Sequence, residues 1–220
     1  MGESMMEQSV SMTATWVDSF VASYQMDDTL PCVATIDEAE EHGNWEESRC
    51  WGKNENELES SMGHYPKYRD SDQLLFSVQQ EPVLNHQPLL KFASDCLNHY
   101  LISLPAANDF PPFRVEEAYN ILRYKAGQAF HGVHSDYAPN IGQGLPNRHL
   151  SFVLFLNTIE GEGGELEFPQ QNLFVKPKEG VGVIFPSGWT HAHHTLPTKT
   201  ETRYVLQLWW SFIKPDRDEV

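Results

Sequence analysis

Six of the ten histidines in this 220-residue chain fall in two short windows, His131, His134 and His149 in the first and His191, His193 and His194 in the second. The first window contains His134-Ser135-Asp136. In an extended strand, residues two apart project from the same face, so this imidazole and carboxylate can converge on one ion. With 10 histidines and 31 acidic residues in the chain, chance alone supplies about one such triplet, so the motif is weak by itself. A third ligand from FPSGWTHAHHTLPTKTETRY (185–204) would complete two imidazoles and one carboxylate on one side of a metal. Three coordination positions then stay open, the facial geometry of non-haem Fe(II) centres. Zinc is less suited, because there is no thiolate set and no HExxH helix. The competing reading makes these histidines ordinary surface or core residues, and wider sequence context has to decide.

The elements that must position these groups change texture along the chain. A helix is expected over 87–104: Pro88 suits a first turn, and Leu89, Ala93, Leu97, Tyr100 and Leu104 repeat along one face. PAANDFPP (105–112) ends it. Beyond Phe113, short apolar runs are separated by Gly, Pro and Asn, and strands are expected over 118–124, 129–133, 150–157, 165–168, 173–175, 181–185, 190–195 and 202–212. Many short strands punctuated in this way argue for a sandwich or barrel over alternating β-α units. The apolar cluster Trp16, Val17, Phe20 and Val21 reads as a docking helix or an ordered arm. The expected fold is α+β: residues 1–112 a helical, acidic supporting region, residues 113–212 an all-β core, together one domain over 1–220.

Forty per cent apolar residues and 12% aromatics are enough to fill one core. The formal charge of −16 disfavours phosphate backbones, so no nucleic-acid partner is expected. Over half of that excess lies in 26–73, which reads as a solvated face. No stretch is long and apolar enough to span a membrane. The N-terminus lacks the basic and apolar regions of a secretory signal, and Met6 stands where a myristoylation site wants Ser or Thr. Cys32, Cys50 and Cys96 are widely spaced, as free thiols would be, and a cytoplasmic location is the expectation. Gly161-Glu162-Gly163-Gly164 reads as a turn, because no strand-loop-helix context surrounds it.

Three blocks carry a resemblance. NILRYKAGQAFHGVHSD (120–136), NRHLSFVLFLNTIEGEGGELEFP (147–169) and VKPKEGVGVIFPSGWTHAHHTLPTKTETRYVLQLWW (175–210) resemble, in order and spacing, the prolyl 4-hydroxylase-like 2-oxoglutarate/Fe(II) dioxygenases. The likeness covers roughly Arg114–Phe212. Upstream only Trp45 and Tyr68-Arg69-Asp70-Ser71 echo the family. The resemblance implies a double-stranded β-helix (jelly-roll) core supported by N-terminal helices, with Fe(II), 2-oxoglutarate and O2, and L-ascorbate as reductant.

It also implies roles for single residues. His134 and Asp136 match the two proximal ligands. The family's basic residue lies ten positions beyond the distal ligand and a proline four beyond; Arg203 and Pro197 therefore select His193. His191 is then a residue beside the metal or on the substrate side, and His194 a packed or exposed imidazole. Arg203 would clamp the distal carboxylate of 2-oxoglutarate, to which a planar guanidinium is suited. Tyr124 and Ser151 would lie near the same cosubstrate, Ser151 bonding that carboxylate. Phe155 would share their wall, and Trp209 would close the pocket. One extra residue between Phe130 and His134 predicts a bulge beside the metal. Phe155 stands where some relatives have a tyrosine, which removes a hydroxyl contact to the cosubstrate. The loop 137–148 reads as a substrate-side lid or a plain connection.

The implied substrate is a proline-containing peptide or protein. Hydroxylation of another residue or of a small molecule, and a non-catalytic metal-binding β-barrel, stay open at this point.

Overall fold

The computed structural model describes residues 12–52, 61–78, 84–137 and 147–213. The chain runs through β1 (Met12–Asp18), β2 (Val21–Met26), α1 (Leu30–His42), β3 (Glu46–Glu47), β4 (Cys50–Gly52), β5 (Ser61–Gly63), β6 (Asp72–Phe76) and α2 (Gln87–Ser103). The second half adds β7 (Phe113–Arg114), β8 (Tyr119–Tyr124), β9 (Arg148–Phe155), β10 (Leu166–Phe168), β11 (Leu173–Val175), β12 (Val181–Pro186), β13 (His194–Thr195) and β14 (Arg203–Phe212). Nine strands form one antiparallel sheet in the order β1-β2-β12-β9-β14-β8-β6-β3, with β7 paired to β14. A smaller sheet, β11-β10-β13, faces it, and β4-β5 is a separate hairpin.

Strand alternation explains why the large sheet is buried on both sides. Phe152, Leu154, Ile184, Leu206, Leu208 and Trp210 point to one face, where Leu89, Phe92, Ala93, Cys96 and Tyr100 of α2 cover them. Val153, Phe155, Val183, Phe185 and Val205 point to the other face, against Leu166, Phe168 and Val175 of the small sheet. Gly182 lets the helix approach: a Cβ there would stand 2.8 Å from the Phe152 ring and 3.0 Å from that of Phe92.

The two-layer jelly-roll architecture agrees with the expected fold class, and α2 lies where the apolar repeat placed it. Several local expectations need correction. The cluster around Trp16–Val21 is the β1–β2 hairpin, with Phe20 at φ 68° in its turn and the Tyr100 hydroxyl donating to the Phe20 carbonyl. The first half therefore supplies strands as well as helices, and β2 and β6 enter the large sheet beside β12 and β8. Their pairing partners lie far along the chain, so the local pattern is weak. The expected strand 129–133 is reduced to isolated bridges, Arg69 with Phe130 and His134 with His193. The expected strand 190–195 begins as a 3-10 turn, Trp189–His191, and pairs at the His193 bridge and at His194–Thr195. Most of the expected lid, 138–146, lies outside the described residues.

All three cysteines are free and buried; burial pushes Cys32 up to about 12 and also raises Cys50 and Cys96, so they stay as thiols. No described helix is long and apolar enough to cross a membrane.

An ion network ties α1 to the sheet. Arg123 on β8 donates to Asp72 on β6 and to Glu40 on α1, and stacks on Trp45 at 4.2 Å. Burial would raise the Asp72 carboxyl, but hydrogen bonds from Lys125 and Arg123 outweigh it and hold the group below its usual value. A depressed folded-state pKa contributes stability above the unfolded value that is lost as pH falls. Asp72→Asn should therefore destabilise the protein at about pH 6, with the gap to wild type closing towards about pH 3, as urea melts will show.

Candidate active site

The two windows meet where His134 and His193 pair backbone to backbone, N–H to carbonyl in both directions at 2.9 and 2.8 Å. This bridge brings the side chains of residues 59 positions apart to one point. The ligand atoms of His134, Asp136 and His193 all lie within 4.8 Å of one another. His134 Nε2 is 3.5 Å from one carboxylate oxygen of Asp136, and His193 Nε2 is 3.8 Å from the other.

Each imidazole is oriented from behind. His134 Nδ1 lies 2.9 Å from the Gly132 carbonyl and His193 Nδ1 lies 3.0 Å from the His191 carbonyl. A carbonyl can only accept, so each Nδ1 carries the proton and each Nε2 presents a lone pair to the shared point. Burial first, and then His134, push His193 down to about 4, so its ring is neutral at physiological pH. Asp136 is 5% exposed. Burial would raise its carboxyl, but His193, His134 and Arg148 outweigh it and hold the group well below the usual carboxylate range. His134 Nε2 is buried and has no hydrogen-bond partner. Two imidazoles and one carboxylate with an orphaned nitrogen fit a divalent cation, and the two-histidine, one-carboxylate set suits Fe(II).

The carboxylate is aimed as carefully as the rings. Asp136 Oδ2 accepts from the Ser151 hydroxyl at 2.7 Å and from Trp209 Nε1 at 3.0 Å. Ser187 stands 2.8 Å behind Ser151, hydroxyl to hydroxyl. Arg148 lies 3.6 Å over the Trp209 ring and forks onto Glu117 with two 2.6 Å bonds. Trp209 and Ser151 therefore both contact the Asp136 carboxylate, and their paired position lies six residues along β14 from Arg203, roughly 20 Å of strand.

Arg203 marks the other end. It is 1% exposed, lies opposite Tyr124 in the sheet, and holds its guanidinium 4.2 Å over that ring. Nη2 donates to Thr195 Oγ1 at 3.0 Å, Nη1 donates to the Gly164 carbonyl, and Nε has no partner. Gly164 reaches it because Gly163 and Gly164 turn at φ 89° and 84°, and a Cβ on Gly163 would collide with the Pro197 carbonyl. Burial lowers the Arg203 pKa, opposed by Tyr124 and Glu165, and no described carboxylate forms an ion pair with it. Thr195, which the guanidinium reaches, is two residues beyond His193, roughly 7 Å along an extended chain. Phe155 is 1% exposed in the apolar wall beside Tyr124 and Val205.

The remaining histidines separate cleanly. His191 donates through Nε2 to the Ser19 carbonyl, 2.8 Å away, and reaches the metal point only through its own carbonyl. His194 pairs with Glu167 at 2.8 Å across β10 and β13. His149 Nε2 is 2.7 Å from the Ala107 carbonyl among Phe110, Phe113 and Phe212, and His131 is exposed. Sequence reasoning missed Ser187, Thr195, the Gly164 carbonyl and Gln207. Gln207 lies between Arg203 and Trp209 on the site-facing side of β14 and is 8% exposed, a position that period-two counting from Arg203 finds.

Comparison with known proteins agrees with this geometry. Residues 119–211 match the model of the 2OG-Fe(II) oxygenase superfamily. Prolyl 4-hydroxylase 13 of Arabidopsis thaliana is 34% identical over 42% of this chain and 42% of its own length. A PKHD-type hydroxylase of Crocosphaera subtropica is 40% identical over 36% of each. The chain thus spans about two fifths of the length of the curated relatives it matches. Among solved structures, the viral collagen prolyl hydroxylase of Paramecium bursaria Chlorella virus-1, in its 2OG complex, superposes with a TM-score of 0.62 at 20% identity, covering 89% of this chain and 97% of that one. A Pseudomonas putida prolyl-4-hydroxylase gives 0.60 at 16% identity, over 96% of both.

The likeness to the 2OG-Fe(II) oxygenase superfamily covers about two fifths of the chain and includes His134, Asp136, His193 and Arg203. The curated relatives that the chain resembles are prolyl 4-hydroxylases and a PKHD-type hydroxylase. His193→Ala should abolish stoichiometric Co(II) binding in anaerobic calorimetry, whereas His194→Ala should leave affinity within a few-fold of wild type. Equal losses would move the distal ligand.

Proposed function

We propose that this protein hydroxylates a prolyl residue in a peptide or protein, consuming 2-oxoglutarate and O2 and releasing succinate and CO2. The observation that carries the reading is Arg203, a fully buried guanidinium with a free N–H and no ion-pair partner among the described residues, bonded to Thr195 two residues beyond His193. A plain metal site has no use for such a group. Its fork matches a carboxylate, and the spacing to His193 suits a short keto-diacid bound at both ends.

When bound, Fe(II) with 2-oxoglutarate and O2 supplies the oxidising chemistry, one oxygen atom going to succinate and the other to the target C–H. The chain's own residues do the rest. His134, Asp136 and His193 would hold the metal. Arg203 receives the distal carboxylate, with Tyr124 packed beneath its guanidinium. Phe155, Val153 and Val205 line a dry wall between the two ends, which strengthens the ion pair by excluding water. Because Phe155 brings no hydroxyl, that carboxylate depends on Arg203 more heavily. Ser151 and Trp209 keep Asp136 Oδ2 occupied and so leave Oδ1 for the metal. Ascorbate serves as the reductant that keeps the iron ferrous.

The substrate part of the reading rests on the likeness to prolyl hydroxylases; one solved relative, from Trichoplax adhaerens, holds a peptide fragment of a hypoxia-inducible factor. Purified protein with Fe(II), ascorbate and 2-oxoglutarate should release succinate, and proline-containing peptides should raise the rate and gain 16 Da on proline. Oxidation confined to other residues would replace the prolyl assignment. Arg203→Ala should weaken 2-oxoglutarate binding by about 100-fold or more while Co(II) affinity changes little, since it removes a charged partner of a buried carboxylate. Equal loss of both would refute the clamp.

A further inference from the structure

Of the three ligands, His134 is the least enclosed. Its side chain is 22% exposed, against 4% for Asp136 and for His193. The His193 ring is held between Phe185 at 4.8 Å and Phe168 at 5.6 Å. His134 has one aromatic support, Phe130, whose ring stacks on the imidazole at 3.6 Å and 13°. Behind it stands Arg69, with its guanidinium 5.4 Å from the centre of the Phe130 ring.

Arg69 is otherwise hard to account for. The residue is 7% exposed, yet Nε and Nη2 have no hydrogen-bond partner and no described carboxylate pairs with it. A buried cation without a counter-ion is costly, and the face of an aromatic ring is the one described group that compensates it. The backbone supports the same contact: Arg69 bridges to Phe130, the Asp70 N–H donates to the Ala129 carbonyl at 2.9 Å, and the Gly132 N–H donates to the Tyr68 carbonyl at 3.0 Å. Segment 68–70 therefore fixes both ends of the stretch that carries Phe130 up to His134.

We propose that Arg69 is a positioning residue for the metal centre: by clamping the Phe130 ring, it holds the His134 imidazole with Nε2 aimed at the point shared with Asp136 and His193. The contact acts on orientation. The Gly132 carbonyl sets which nitrogen carries the proton, and the Arg69–Phe130 stack limits rotation of the ring about χ1 and χ2. A free imidazole would have to give up that rotation on binding metal, which lowers affinity.

The inference rests on the metal reading of the triad, and one anaerobic Co(II) titration of the full chain separates the two. Arg69→Met keeps length and packing but removes the charge, and should weaken Co(II) binding by about 10-fold, in the range of outer-sphere changes around metal ligands. Phe130→Leu should weaken it to a similar extent, and the double variant no further than Phe130→Leu alone, because both act through one contact. Arg69→Lys, which retains a cation over the ring, should recover most of the affinity. The thermal midpoint of the metal-free protein should not track these losses. Wild-type affinity in Arg69→Met, or additive losses in the double variant, would overturn the proposal. If Arg69→Met does not fold, Arg69→Lys against Phe130→Leu decides it by the same criteria. Unchanged Co(II) binding in His134→Ala would defeat the metal reading itself, and the proposal with it.

Discussion

The structure of the site depends on keeping one carboxylate ionised where water scarcely reaches it. Asp136 is buried at the junction of the two sheets, and desolvation acts against its charge. A buried anion is tolerated only when hydrogen bonds and nearby positive character replace its hydration. Here Ser151, Trp209 and Arg148 supply them from β9 and β14, while the imidazoles close the remaining side. Removing any of these partners leaves the charge less compensated. The large sheet is consequently built so that Ser151 and Trp209 fall opposite each other in register beneath the one loop that carries Asp136.

This requirement explains where sequence reasoning succeeds. The strands that build the core carry strong local signals: runs such as LSFVLFL and RYVLQLWW are apolar on both faces because helix and small sheet cover both faces. The ligands are legible through period-two spacing at 134–136 and through the family's spacing of Arg203 and Pro197 relative to His193. The helix over 87–103 is legible from its apolar repeat.

It fails where contacts are non-local or where side chains override the backbone's preference. The β1–β2 hairpin turns through Phe20 at positive φ without the glycine or asparagine that would announce a turn, held instead by Tyr100 from 80 residues away. β6 and β3 exist because β8 offers an edge, not because DQLLF or EE reads as strand. Around the metal, regular pairing is lost at 131–133 and 189–191, since the carbonyls of Gly132 and His191 are turned towards imidazole nitrogens. The role of Ser151 follows from register, which a lone sequence does not reveal: the same residue type a few positions on would face the cosubstrate end.

Taken together, the two ends of the cavity are electrostatically incomplete in opposite senses. Asp136 carries a negative charge beside an imidazole nitrogen of His134 that has no hydrogen-bond partner, and Arg203 carries a positive charge with an unused donor. They form no ion pair with each other, and Arg203 donates to Thr195 instead. Replacing both by apolar residues would relieve desolvation at each end, so stability alone does not account for them. Each end thus lacks the partner its charge calls for: a divalent cation would complete the first and a carboxylate the second, and burying the two charges apart leaves both groups preorganised for such ligands.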